Sequence, residues 1–396
     1  MTVANGREFL SIPGPTNIPD VVLQAMHRPA IDIYAGDMIQ LTRTLLEDLP
    51  KLFRTSGRTF MYAANGHGGW EAAVSNVLSR GETVLVLESG VFAMGWGDMA
   101  RMMGVKVEVL RGDWRRAVDP AAVAQRLAAD AAREIKAVLV VQVDTASGVV
   151  NDISAIRRAI DSVQHPALLM VDCVASLGCM AFEMDAWKVD VAMSGSQKGL
   201  MTPPGLAFVA ANERALAAHQ KADLRTRYWD WTFRMGEAHY QKYGGTPPQH
   251  LLFALRKAID LLLAEGLDRA LRRHALLAEA TRRAVERWAT AGALAFNVVA
   301  PAERSPSVTT VLTPGRDPRP LLDYCRAHCG VVVGVGIGEL SGKAFRIAHM
   351  GHVNAPMMFG VLGSLEMGLA ALDIPHGPGG VQAAVDYLAR EVRPQG

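Results

Sequence analysis

Lys198 stands in the stretch Ser194-Gly-Ser-Gln-Lys-Gly199, directly behind the apolar run 189–193 and shortly before Pro203-Pro-Gly205. A lysine delivered at the end of a buried strand can hold a carbonyl compound as a Schiff base and, once freed, act as a base, provided that its surroundings lower its pKa. Upstream, Leu168-Leu-Met-Val-Asp172 reads as a fully buried strand that ends in a carboxylate. An acid in that position faces the crevice at the carboxyl ends of the strands, where open α/β sheets bind ligands. Each residue alone also fits a plainer reading, a solvated loop lysine and a helix-cap or turn aspartate. As a pair they match what pyridoxal 5'-phosphate (PLP) needs from a protein: an amine for its aldehyde, and an acid that keeps the pyridine nitrogen protonated so that the ring serves as an electron sink.

Asn65-Gly-His-Gly-Gly-Trp-Glu-Ala72 is a glycine-rich turn that runs into an amphipathic helix. Its glycines let backbone amides approach an anion, and the helix amino terminus adds partial positive charge. Arg346 ends Gly342-Lys-Ala-Phe-Arg346 on an expected strand. Its planar fork suits bidentate capture of an α-carboxylate better than a lysine would.

In this order, and together with Ile12-Pro-Gly-Pro-Thr-Asn-Ile-Pro19 and Val171-Asp-Cys-Val-Ala-Ser-Leu-Gly178, these motifs make the chain resemble, nearly end to end, the class V, fold-type I PLP aminotransferases of the alanine–glyoxylate and serine–glyoxylate group. The resemblance implies an α/β PLP-transferase fold, with a large domain built on a mainly parallel sheet and a smaller carboxyl-terminal α/β domain. It implies that Lys198 and Asp172 are catalytic and that Gly66, His67 and Gln197 bind the cofactor's phosphate. Phe92 would stack on the pyridine ring, Val174 would pack on its other face, and Thr145 would set a hydroxyl beside it. Tyr243 and Thr246, in Lys242-Tyr-Gly-Gly-Thr-Pro-Pro248, would reach the phosphate of a neighbouring subunit, so that a site is complete only in a homodimer. Arg346 would bind the carboxylate of both substrates. The implied reaction is ping-pong transfer of an amino group from serine, alanine or aspartate to glyoxylate, giving glycine and a 2-oxoacid. Asp144-Thr-Ala-Ser-Gly148 and His349-Met-Gly351 also resemble pyridoxamine–pyruvate aminotransferase. Asp32-Ile-Tyr-Ala-Gly-Asp37 stands where serine–glyoxylate enzymes carry a His-Arg-Ser-Pro-type segment, so the choice of donor and acceptor stays open. The intact set of Lys198, Asp172 and Arg346 speaks against a non-catalytic PLP-binding protein.

The elements that must position these residues are legible as alternation. Apolar runs at 83–87, 105–110, 137–143, 167–171, 189–193 and 206–209 are separated by helical stretches, the pattern of a mainly parallel sheet covered on both faces. Residues 249–288 read as a long helix leading to a smaller lobe with strands at 307–312 and 331–333. The expected division is an amino-terminal extension (1–19), a large PLP-binding domain (20–270) and a small domain (271–396). Gly334-Val-Gly-Ile-Gly338 lacks the third glycine of a dinucleotide-binding turn, which leaves a nicotinamide-dependent oxidoreductase as a remote alternative.

A net charge of +2 argues against nucleic acid as a partner. Four cysteines in 396 residues make no disulfide framework, and Cys325-Arg-Ala-His-Cys329 fits an amphipathic helix better than a zinc site, so no metal is expected. No apolar run is long enough to span a bilayer, the amino terminus has no signal core, and Arg393-Pro-Gln-Gly396 is no peroxisomal address. A reduced, cytoplasmic enzyme acting on small amino and oxo acids is the expectation.

Overall fold

The structure, a computed structural model, describes residues 2–393; Met1 and residues 394–396 lie outside it. Seven strands form the larger sheet, in the order Arg58–Ala63, Leu206–Ala211, Val191–Gly195, Leu168–Asp172, Ile135–Val141, Thr83–Leu87 and Lys106–Leu110. Side chains alternate between its faces. Leu85, Leu87, Leu169 and Val171 enter one apolar core, whereas Val84, Val86, Leu168 and Met170 enter the other. With both faces covered by helices, a strand has no polar side to show, which is why these segments are continuous apolar runs.

The last five strands of that order are mutually parallel, as expected, but Leu206–Ala211 runs antiparallel to Val191–Gly195, and Arg58–Ala63 runs antiparallel to Leu206–Ala211. The reason is the connection between residues 195 and 206. A parallel crossover needs a dozen or more residues, usually a helix. This shorter loop turns straight back, held where the Ser196 hydroxyl donates to Pro203 O (2.7 Å) and accepts from Leu206 N (3.3 Å).

A second sheet of five strands has the order Phe9–Ser11, Val331–Val335, Ala344–Ala348, Val308–Leu312 and Ala295–Phe296. Its core includes Val311, Val333, Phe345 and Ile347, together with Trp288 and Leu365 from covering helices. Phe9–Ser11 pairs in parallel with Val331–Val333, so the amino-terminal segment belongs to the smaller sheet. The expected helix over 249–288 is two helices, Gln249–Glu265 and Leu267–Ala289. Gly266 breaks it with φ 86°, a left-handed region that costs glycine nothing. Cys325 and Cys329 lie on the helix Arg319–Cys329, all four cysteines are free, and no metal-binding cluster of side chains occurs among the described residues. Gly334 to Gly338 continue a strand into a short 3-10 turn at Gly338–Leu340 and open no α-helix. No helix among the described residues is long and apolar enough to cross a membrane.

Two histidines are sealed beside the smaller sheet. His349 Nδ1 donates to Pro306 O (2.7 Å), so Nε2 must accept from the Thr309 hydroxyl (2.9 Å). Likewise His274 Nδ1 donates to Ala270 O and Nε2 accepts from Gly351 N. Burial pushes His349 down to about 3 and His274 down to about 4, both from 6.5. A group depressed in the folded state contributes stability that is complete above its unfolded pKa and is lost as pH falls through the window below. For His349 that window runs from 6.5 to about 3. His349→Gln keeps an acceptor for Thr309 without the titration. Its Tm deficit relative to the parent is therefore expected to shrink as pH is lowered from 7 to 4, and a deficit that stays constant would show that His349 is not held neutral.

Candidate active site

At the carboxyl ends of Ile135–Val141, Leu168–Asp172 and Val191–Gly195 lies a cavity of about 310 Å³ whose lining includes Lys198, Asp172, Phe92 and Arg346. That is where an α/β sheet opens, because the connections leaving neighbouring strands diverge there.

Lys198 follows Val191–Gly195 in a tight turn and is only 8% exposed. A strap of chain from the smaller sheet crosses it. Thr16 Oγ1 donates to Lys198 O (3.0 Å), Thr16 N donates to Gln197 O (3.1 Å), and Lys198 Nζ donates to Pro13 O. Gly14 has φ 99°, and a Cβ there would sit 2.6–2.8 Å from Lys198 Cε, Cδ and Nζ, so only glycine lets the strap lie so close. Burial, reinforced by the Arg346 charge, lowers the amine to about 8 against the pull of Asp172. A lysine so tuned is a usable base near neutral pH.

Asp172 closes its strand and lines the same cavity. Its Oδ2 accepts from the Trp70 indole (2.6 Å) and its Oδ1 from Val174 N (2.8 Å). Burial nevertheless raises it to about 6. Trp70 comes from the helix Gly66–Val77, so one helix brings the glycine-rich turn to the cavity and fixes the acid as well. Gly66 faces Val174, whose Cγ2 lies 3.3 Å from where a Cβ would stand. Asn65 caps this helix, its Oδ1 accepting from His67 N (3.1 Å) and Gly68 N (3.3 Å). His67 is exposed and packs its ring edge-on against Trp70 at 4.6 Å.

Phe92 and Val174 both line the cavity, an aromatic and an aliphatic surface suited to a flat ring. Gln197 lines it too, and its Oε1 is buried without a partner. Thr145 is buried and gives its carbonyl to Arg346 Nη1 (2.9 Å), while Arg346 Nε donates to Val335 O (2.6 Å). Two of five guanidinium protons are thereby used and both terminal nitrogens keep free ones, enough for a carboxylate. Burial lowers Arg346 to about 10, so it stays charged.

The structure thus brings together Gly66, His67, Phe92, Thr145, Asp172, Val174, Gln197, Lys198 and Arg346 around one cavity. Tyr243 and Thr246 do not join them. Tyr243 is buried in a 3-10 turn with its hydroxyl against Thr42 Oγ1 (2.6 Å), and Thr246 is exposed outside the cavity. Sequence reasoning missed Trp70 as partner of Asp172 and Pro13 and Gly14 as neighbours of Lys198. Trp70 sits one helical turn beyond Gly66, a spacing that could have flagged it; contacts from residues 13–14 to 198 leave no local signal.

Residues 9–343 match the family Aminotransferase class-V. The chain is 41% identical to the serine–glyoxylate aminotransferase of Methylorubrum extorquens, over 97% of its length and 96% of the relative's. It is 37% identical to the L-aspartate–glyoxylate aminotransferase of Paracoccus denitrificans, over 95% of each. Its fold superposes on the crystal structure of pyridoxamine–pyruvate aminotransferase from Mesorhizobium loti with a TM-score of 0.90 at 30% identity, covering 99% of this chain and 100% of that one. With the family pattern matched over residues 9–343 and relatives aligned along nearly the whole chain, this protein belongs to the class V aminotransferases.

Proposed function

We propose that the protein is a PLP-dependent aminotransferase that moves an amino group from a small amino acid, serine, alanine or aspartate, to glyoxylate. The observation that carries this is that a buried lysine and a buried aspartate line one cavity together with a buried arginine that keeps free donors. Two near relatives act on glyoxylate by name. The residues fit the cofactor's ring: an aromatic and an aliphatic surface for its faces, an acid with spare lone pairs for its nitrogen, and an amine for its aldehyde.

When bound, PLP supplies an electron sink that stabilises negative charge at the substrate's α-carbon. Lys198 holds the cofactor between turnovers and, once displaced by the incoming amine, carries the proton from that carbon. Its pKa of about 8 keeps a useful fraction neutral for this task. Asp172, anchored by Trp70 and Val174, keeps a proton on the ring nitrogen. Arg346 fixes the substrate carboxylate and so aims the α-carbon at Lys198. Gly66, His67 and Gln197 are assigned to the phosphate, Phe92 and Val174 to the ring faces, and Thr145 to the ring's edge.

Thr246, exposed and outside its own chain's cavity, supports a homodimer with shared sites, whereas Tyr243 is buried with its hydroxyl on Thr42 of its own chain. Four free cysteines suit a reducing cytoplasm.

A second reading, transfer from free pyridoxamine to pyruvate, is favoured by Asn65. Its carboxamide already takes the amides of His67 and Gly68 that a phosphate would use, an arrangement suited to a substrate without one. Turnover of pyridoxamine with pyruvate, exceeding that of serine, alanine or aspartate with glyoxylate, would select it.

Borohydride treatment of the purified protein should fix the cofactor on Lys198, and Lys198→Ala should fold without turnover; labelling of another lysine removes the assignment. Arg346→Ala should keep the cofactor while kcat/KM falls for amino acid and oxoacid alike, by roughly 2–5 kcal/mol for a lost buried charge pair, at about 1.4 kcal/mol per tenfold. Arg346→Lys should recover only part, because the charge returns without the fork. A loss confined to one substrate would contradict the shared role. Mixing Lys198→Ala with Tyr243→Phe/Thr246→Ala subunits should restore some activity in heterodimers, and heterodimers without it would exclude a shared site.

A further inference from the structure

We propose that Asp144 is a positioning residue of this active site: a buried carboxylate that holds the helix carrying Phe92 and the turn carrying Thr145, and lies as countercharge to Arg346 without consuming its hydrogen bonds. The inference rests on the reading of the cavity given above and adds a residue to it.

Asp144 ends the short strand Val143–Asp144 and is 0% exposed. Its Oδ2 accepts from Phe92 N (2.8 Å) and Ala93 N (3.1 Å), and its Oδ1 accepts from Ala146 N (3.0 Å). The first two amides open the helix Val91–Met102, whose own N-cap residue, Gly90, has no side chain to offer. A distant carboxylate therefore caps the helix, which both satisfies its amides and complements its dipole. Gly90 makes room for it, since a Cβ there would fall 2.2–2.5 Å from the Asp144 carboxyl group. Burial raises the Asp144 pKa, but all three partners are N–H donors and so favour the carboxylate, with Arg346 acting in the same direction.

A buried anion calls for a nearby cation. Arg346 supplies it: its guanidinium donates to the carbonyl of Thr145, the next residue, and Asp144 is the group whose charge opposes the effect of burial on Arg346. The two make no direct hydrogen bond, which leaves Arg346 donors for substrate. One carboxylate thus sets the aromatic surface, the Thr145 turn and the net charge at the anion site.

Two variants separate these roles, each measured as holoenzyme. Asp144→Asn removes the charge and one acceptor oxygen. We expect kcat to fall about tenfold or more, as for loss of a charged hydrogen bond, while propionate, an unreactive carboxylate, inhibits more tightly because Arg346 is no longer counterbalanced. Amide exchange in peptides covering residues 90–95 should quicken, with bound cofactor unchanged. Gly90→Ala pushes the carboxylate off the helix but keeps its charge, so kcat and amide protection should fall while propionate inhibition stays within about twofold of the parent. Parental kcat in Asp144→Asn overturns the proposal, as does a fall in kcat with propionate binding unaltered, which would mark a merely structural residue. If Asp144→Asn does not fold, Gly90→Ala decides alone: parental kcat and parental exchange there overturn the positioning role. Should borohydride label no lysine in the parent, the reading of the whole cavity fails first; a labelled Lys198 with indifferent Asp144 variants refutes this proposal only.

Discussion

Withdrawing Lys198, Asp172 and Arg346 from water around one cavity, and Asp144 between two of its lining residues, costs each its hydration, and the fold offsets that cost with backbone and indole groups rather than with direct ion pairs. Lys198 donates to the Pro13 carbonyl, Arg346 to the carbonyls of Val335 and Thr145. Asp172 accepts from Trp70 and Val174, and Asp144 from three amides. A lysine locked to a carboxylate would stay charged well above neutral pH. Because burial outweighs Asp172 here, the Lys198 amine falls to about 8 and becomes available to take a proton. The chemistry depends on partners kept close enough to be felt and too far to bond.

Two sheets have to meet for that to hold. Phe9–Ser11 and Ala344–Ala348 belong to the smaller sheet, yet the strap beyond the first reaches Lys198 and the arginine of the second reaches Thr145, beside the larger sheet. The Pro13 carbonyl and the Arg346 guanidinium therefore share a frame. A shift of the smaller sheet would move the carbonyl that holds the Lys198 amine and the Arg346 guanidinium together.

Much of this was legible in the sequence because it was local. Strand-end Asp172 and Lys198 announce themselves through the apolar runs that precede them, and the sheet's composition follows from having both faces covered. The antiparallel turn of Leu206–Ala211 depends on a loop too short to cross over, and the break at Gly266 on one positive φ inside a strongly helical stretch; both leave the hydrophobic pattern intact. Periodicity is blind to them. Trp70 on Asp172, Pro13 on Lys198 and Asp144 on Phe92 are contacts between residues distant in the chain. Only Trp70, one helical turn beyond Gly66, carries a local mark; nothing near Pro13 or Asp144 in sequence marks its partner. Tyr243 shows the converse. Its motif is plain in the sequence, while its hydroxyl lies against Thr42 of its own chain, so motif alone did not tell where the side chain points.

Asp172 shows why the protein's own contacts are half of an electrostatic design. Two N–H donors orient it, but burial still raises its pKa to about 6, so the carboxylate is favoured at physiological pH by less than a free aspartate's would be. A cationic N–H presented in the cavity would tip it to the carboxylate, and the same carboxylate would then favour the proton on that cation; each stabilises the charge of the other. Lys198 is the mirror case, an amine whose charged form burial and Arg346 disfavour, lowering its pKa to about 8. In both groups burial works against the charged form, and a charge of opposite sign brought into the cavity would restore it.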